Sequence, residues 1–104
     1  MAIDLNISSG QIDKGDTKTL RLVPKDADGN AITPQSITAT FTAPSDDPAS
    51  PSGDYAKADF QQDGDAWEVS HTFDEAGLWD VYVKATDASG NAEVETKKVW
   101  VEDN

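Results

Sequence analysis

From Glu75 to Asp87 the side chains alternate in character, with Trp79, Val81, Val83 and Ala85 on one face of an extended chain and Leu78, Asp80, Tyr82 and Lys84 on the other. The pattern predicts a strand with one buried side, entered at Gly77. Such a strand needs a second layer to cover its apolar face, so the rest of the chain is expected to supply a facing sheet. Ala2 to Ser8 places Ile3, Leu5 and Ile7 on one side, and Ser9-Gly10 ends that strand. After the turn Lys14-Gly-Asp-Thr17, the stretch Thr17 to Pro24 turns Leu20 and Leu22 inward and Thr19, Arg21 and Val23 outward.

Asp26-Ala-Asp-Gly-Asn30 is turn chemistry, and Ser36 to Ala43 then alternates Ile37, Ala39, Phe41 and Ala43 with three threonines. Pro44 to Asp54 carries three prolines and no apolar period, which predicts a long loop. A short strand is expected over Ala56 to Gln61. A hairpin turn follows at Asp63-Gly-Asp65, and then a strand over Ala66 to Phe73 with Trp67, Val69, His71 and Phe73 on one face. The last strand runs Glu93 to Glu102, with Val99 and Val101 inward and Lys98 and Trp100 outward; Val94 reads out of phase with Val99, predicting a bulge or twist between them. Seven short strands with Gly and Asx turns and no helical period predict an all-β, seven-stranded Greek-key β-sandwich of the immunoglobulin-like type, as one domain over residues 1–104.

Composition sharpens the functional side. Eight basic residues stand against 20 acidic ones, a formal net charge of -12, and 15 of the acidic residues are Asp. That sign argues against nucleic acid and anionic membranes as partners. An Asp-rich, Lys-poor surface is also what keeps a protein hydrated in concentrated salt, where like-charge repulsion is screened, so the composition reads either as a halophile signature or as an ordinary acidic surface. With no cysteine, thiol chemistry and disulfides are absent. The chain opens Met1-Ala-Ile-Asp with neither a basic n-region nor an apolar h-region, from which synthesis in the cytoplasm without general secretory export is expected.

The spacing Glu75-x-Gly77-x-Trp79-x-Val81 resembles the strand F motif of immunoglobulin-like domains, with Trp79 where that family usually has tyrosine and Val81 where antibody domains have cysteine. Those departures set the antibody branch aside and leave no hydroxyl for a tyrosine corner. What remains, including the ending ATDASGNAEVETKKVWV, is similar to bacterial and viral Ig-like modules, and a solitary copy resembles the accessory (decoration) proteins of tailed virus particles. The resemblance implies a non-enzymatic structural protein, located in the virion and bound to a protein lattice of capsid or tail subunits, with self-association as a further partner reading. The alternative is an extracellular adhesion or carbohydrate-binding module at a cell surface.

The candidate residues follow from parity. Tyr82 and Trp100 are expected to project outward beside Lys84, Lys98 and the threonines Thr38 and Thr40, making one aromatic, hydroxylated and locally basic face suited to a protein interface; the alternatives are that the Pro44 to Asp54 loop folds over Trp100, or that a parity shifted by one turns Trp100 into the core. Trp67 and Trp79 are expected in the core, on opposite sheets. Asp26, Asp28 and Asp87 lie in two turns that offer oxygens at alternate positions around a glycine, as calcium requires; neither turn continues to a closing bidentate Glu, and both are also ordinary β-turn sequences. His71 is a lone histidine, inward by parity, with no cysteine or second histidine as partner, so it is expected to pack and hydrogen-bond. No catalytic constellation is expected.

Overall fold

The structure is a computed structural model that describes residues 1–7, 10–47 and 51–103. Its strands are β1 (Ala2–Ile7), β2 (Ile12–Asp13), β3 (Asp16–Lys25), β4 (Ser36–Thr42), β5 (Gly53–Ala56), β6 (Gln61–Asp63), β7 (Ala66–Phe73), β8 (Gly77–Thr86) and β9 (Ala92–Glu102). They form two sheets, one of four strands ordered β1-β3-β7-β6 and one of five ordered β2-β9-β8-β4-β5. All pairings between strands are antiparallel except β2 with β9. The inner faces meet in one apolar cluster. Leu20 and Leu22 of β3 and Phe73 of β7 face Ile37 and Phe41 of β4 and Trp79, Val81 and Val83 of β8. Period-2 alternation accounts for this directly: each of these strands buries the parity its sequence marks as apolar.

The expected single strand over Ala56 to Gln61 is corrected. The chain there leaves one sheet and joins the other. Gly53–Ala56 pairs with β4, a single 3-10 turn follows at Lys57–Asp59, and Gln61–Asp63 pairs with β7. The Asp59 carboxylate accepts the Ala56 N–H at 2.9 Å, which closes the turn, and buried Phe60 anchors the crossing. Part of the expected loop over Pro44 to Asp54 is therefore strand, since Gly53 and Asp54 lie opposite Phe41 and Thr40; its residues 48–50 lie outside the described residues. With this split and the short β2, the described residues hold nine strands rather than seven.

The bulge expected near Val94 is also absent. β8 and β9 pair in one unbroken register from Gly77↔Val101 to Thr86↔Ala92. Val94 is simply an outward residue opposite Lys84, and the inward positions of that half of β9 are Glu93, Glu95 and Lys97. Charged side chains at inward positions disguised the parity.

The Glu75-x-Gly77-x-Trp79-x-Val81 stretch forms the corner between the sheets. The Trp79 indole Nε1–H donates to the Glu75 carbonyl oxygen at 2.8 Å, so an indole closes this corner without a tyrosine hydroxyl. The Glu75 carboxylate meanwhile accepts the Ser45 N–H at 3.1 Å and the Ser45 hydroxyl at 2.7 Å, tying the loop after β4 to the same corner. Gly77 has φ +120, and a Cβ there would lie 2.8 Å from Pro44 Cγ, so only glycine fits.

Candidate functional site

The outward face of the five-stranded sheet is built in cross-strand rows. Leu78 lies opposite Trp100; Asp80 sits between Thr42 and Lys98, Tyr82 between Thr40 and Thr96, and Lys84 between Thr38 and Val94. Among the described residues, the large hydrophobic side chains that stand exposed are Leu78 at 46 %, Tyr82 at 39 %, Val94 at 43 % and Trp100 at 59 %, and all four lie on this one face. The outward face of the other sheet carries hydroxyl ladders instead, Thr17 to Thr72 at 2.8 Å and Thr19 to Ser70 at 3.2 Å, flanked by Arg21 between Asp63 and Glu68. The five-stranded sheet thus carries the exposed large apolar side chains among its polar ones, and the four-stranded sheet presents hydroxyl and charged rows.

The structure brings together all six candidates of this face: Thr38, Thr40, Tyr82, Lys84, Lys98 and Trp100. On this face Lys98 pairs with the Asp80 carboxylate directly across from it, and Thr40 reaches Asp54 at 3.5 Å. Thr42 continues the threonine row but is buried. Thr40, Asp80, Tyr82, Thr96 and Lys98 line a shallow groove of about 520 Å³ beside the phenol ring. Leu78 and Val94 were missed as members. Leu78 shares the parity of Tyr82 and was legible; Val94 was hidden by the expected bulge.

No protein-family model and no curated protein matches the chain. The functional reading rests on the geometry of this face and on the sequence.

The two calcium candidates are one turn built twice. In each, the Asp carboxylate Oδ1 accepts two backbone N–H groups: Asp26 from Asp28 at 2.9 Å and Asn30 at 3.0 Å, Asp87 from Ser89 and Asn91 at 2.9 Å. Asn91 Nδ2 donates to the second Asp87 oxygen at 3.1 Å, and these bonds, led by the Asn91 side chain, hold the Asp87 carboxyl below its ordinary range. The carboxylates are engaged in closing the hairpins, with Gly29 and Gly90 at positive φ. Among the described residues, no group of three or more His, Asp or Glu side chains gathers around a common point, so Asp28 stands outside any such cluster.

His71 is buried between the sheets. Its ring stacks on Phe41 with centroids 4.4 Å apart, meets Phe73 and Trp79 edge-on, and its Nδ1 lies 2.7 Å from the Tyr55 hydroxyl of the opposite sheet. Among the described residues Nε2 has no hydrogen-bond partner. Burial pushes the His71 pKa below its ordinary value, opposed in part by the charge of Asp74. The unfolded chain therefore takes up this proton at higher pH than the folded one. Folding stability is expected to be level above about pH 6.5 and to fall as the pH drops below it towards the folded-state value. His71→Phe should flatten urea midpoints measured between about pH 7 and pH 5, and a wild-type curve already flat there would contradict the assignment.

Proposed function

We propose that this chain is a non-enzymatic docking module of the immunoglobulin-like class. It would serve as an accessory or decoration protein on the capsid or tail of a tailed virus from a saline habitat. The observation that carries the docking role is the gathering of Leu78, Tyr82, Val94 and Trp100 on one face of a chain whose formal net charge is -12. Apolar surface concentrated in this way is characteristic of protein interfaces, with Trp and Tyr the commonest anchors. The fold reading is supported by β1-β3-β7-β6 packing against β9-β8-β4, an order in keeping with an immunoglobulin-type Greek key extended by β5 and β2. The virion assignment rests on the sequence resemblance. Binding only to the assembled lattice shifts assembly by mass action, and many copies make weak single contacts sufficient.

A second reading, carbohydrate binding at a cell surface, is favoured by the groove beside Tyr82, where threonine hydroxyls and the Asp80 carboxylate adjoin an aromatic ring.

The test is to probe gradient-purified particles from the source culture with an antiserum against the chain, and to add back purified Trp100→Ala. The chain should co-sediment with particles. Trp100→Ala should keep its melting midpoint within about 3 °C, since exposed substitutions cost little, yet bind particles at least about tenfold more weakly. Absence from particles, together with glycan binding that Trp100→Ala abolishes, would replace this reading with the second.

A further inference from the structure

On the outward side of β8 and β9 four cross-strand rows stand exposed: Leu78 beside Trp100, Asp80 beside Lys98, Tyr82 beside Thr96, and Lys84 beside Val94. Up to Trp100, the outward charges of β5, β4, β8 and β9 are Asp54, Asp80, Lys84 and Lys98, which balance. The formal net charge of -12 therefore lies on the rest of the chain. Two copies that meet through this face bring no excess of like charge into contact. The face is also large enough. The chain extends 42 × 28 × 21 Å, and the two layers stack along its shortest dimension. The broad side of the sheet measures about 1,200 Å² in outline, against the roughly 800 Å² per partner that a standard stable interface buries.

We infer that a second copy of the chain covers this face in solution, the two five-stranded sheets packing face to face about a two-fold axis along the seam between β8 and β9. The dimer uses the face read above as the docking surface, and so rests on that reading. Because the axis lies in the interface, it turns β8 of one copy over β9 of the other and sets each residue over the row-mate of its twin. Leu78 meets Trp100, Asp80 meets Lys98 and Tyr82 meets Thr96, each twice. Lys84 lies over Val94, where its stem covers the methyl groups and its ammonium reaches water at the rim.

The order of the rows is what lets a second copy fit. Apolar meets apolar, opposite charge meets opposite charge, and the phenol meets a hydroxyl. An axis at right angles to the strands through the Asp80–Lys98 row instead sets Asp80 over Asp80 and Lys98 over Lys98, which is repulsive. Sliding that crosswise axis by one row towards Tyr82 sets Asp80 over Lys84, and the charge exchange below separates this arrangement from the seam. Aligned sheets cross at about 30°, so contact is closest at the central rows and relaxes towards the ends. A particle that binds the same face competes with the second copy by mass action, so the apolar row is covered both in solution and on the particle.

Sedimentation equilibrium of the purified chain should show a monomer–dimer equilibrium that strengthens from about 0.15 M to about 2 M KCl, because screening removes the repulsion between two chains of like net charge. Trp100→Ala should weaken dimerisation at least about tenfold, and Ser70→Gln, on the outward face of the four-stranded sheet, should leave it unchanged. At the lower salt Asp80→Lys, which sets lysine over lysine twice, should also weaken it at least about tenfold. The double exchange Asp80→Lys with Lys98→Asp should restore it. These positions are exposed, and circular dichroism checks that each variant folds. A wild-type chain that stays monomeric at every concentration and salt overturns the inference. So does a Trp100→Ala chain that dimerises like wild type, or a folded double exchange that does not recover. Particle binding is measured separately on the same proteins. A chain that binds particles but never dimerises overturns the dimer alone, and one that dimerises but binds no particle overturns the virion reading alone.

Discussion

Trp79→Ala is expected to remove about 3–5 kcal/mol of folding stability. The side chain is fully buried at the centre of an aromatic group, with Phe73 5.0 Å and His71 5.4 Å from its ring. Truncation empties that space and also frees the Glu75 carbonyl, which now accepts the indole N–H at 2.8 Å. A chain of this size has about 5–15 kcal/mol in total, so the variant retains a fraction of it or fails to fold at ordinary temperature. Trp79→Phe separates the two contributions: it keeps most of the ring and loses the corner bond, for an expected cost of about 1–2 kcal/mol plus a residual void. Urea denaturation of the three proteins checks the order. Equal midpoints for wild type and Trp79→Ala would contradict the packing described.

Gly53→Ala is the second large effect, and the less obvious one. Gly53 lies in a stretch that reads as loop, yet in β5 it is buried opposite Phe41, and a Cβ there would fall 2.7 Å from His71 Cε1 and Nδ1 and 3.0 Å from Tyr55 Cε2. The His71 ring has little room to retreat, because it stacks on Phe41 and meets Phe73 and Trp79 edge-on. Overpacking of this kind costs about 1–3 kcal/mol, against which reduced freedom of the unfolded chain returns less than about 1 kcal/mol. The net loss should be about 2 kcal/mol. Displacing the ring also breaks its 2.7 Å contact with the Tyr55 hydroxyl and admits water, so the His71 pKa should move back up towards its ordinary value. Urea midpoints and an NMR titration of His71 read the two consequences separately. A midpoint at or above wild type would show that the space is not filled as described.

Alternation was enough to place the long strands, because the residues that point into the cluster from β3, β4, β7 and β8 are covered by the opposite sheet and, His71 apart, are apolar. It also placed His71 inward and Trp100 outward. It failed where burial does not follow parity. On β9 the inward positions Glu93, Glu95 and Lys97 are charged, the two glutamates only partly covered and Lys97 exposed, so Val94 looked like the apolar face of a shifted strand. At Lys57–Asp59 a single turn moves the chain between sheets, a three-residue event with no period to detect. Gly53 carries no hydrophobic signal at all; its role is the space it leaves for an aromatic ring from another strand. The face proposed for docking was legible in Tyr82 and Trp100. Its electrostatics were not, since the Asp80–Lys98 pair depends on a cross-strand register that sequence alone leaves open.

The central claim is that the outward face of β4, β8 and β9 is the one that meets a partner. A photoreactive residue placed at Tyr82 or Trp100 tests it against one placed at Thr19 or Ser70 on the hydrated face of the other sheet, each carried by particle-bound chain. Cross-links to a particle protein from positions 82 and 100, and none from 19 and 70, are the result expected. Cross-links from 19 and 70 alone would contradict it.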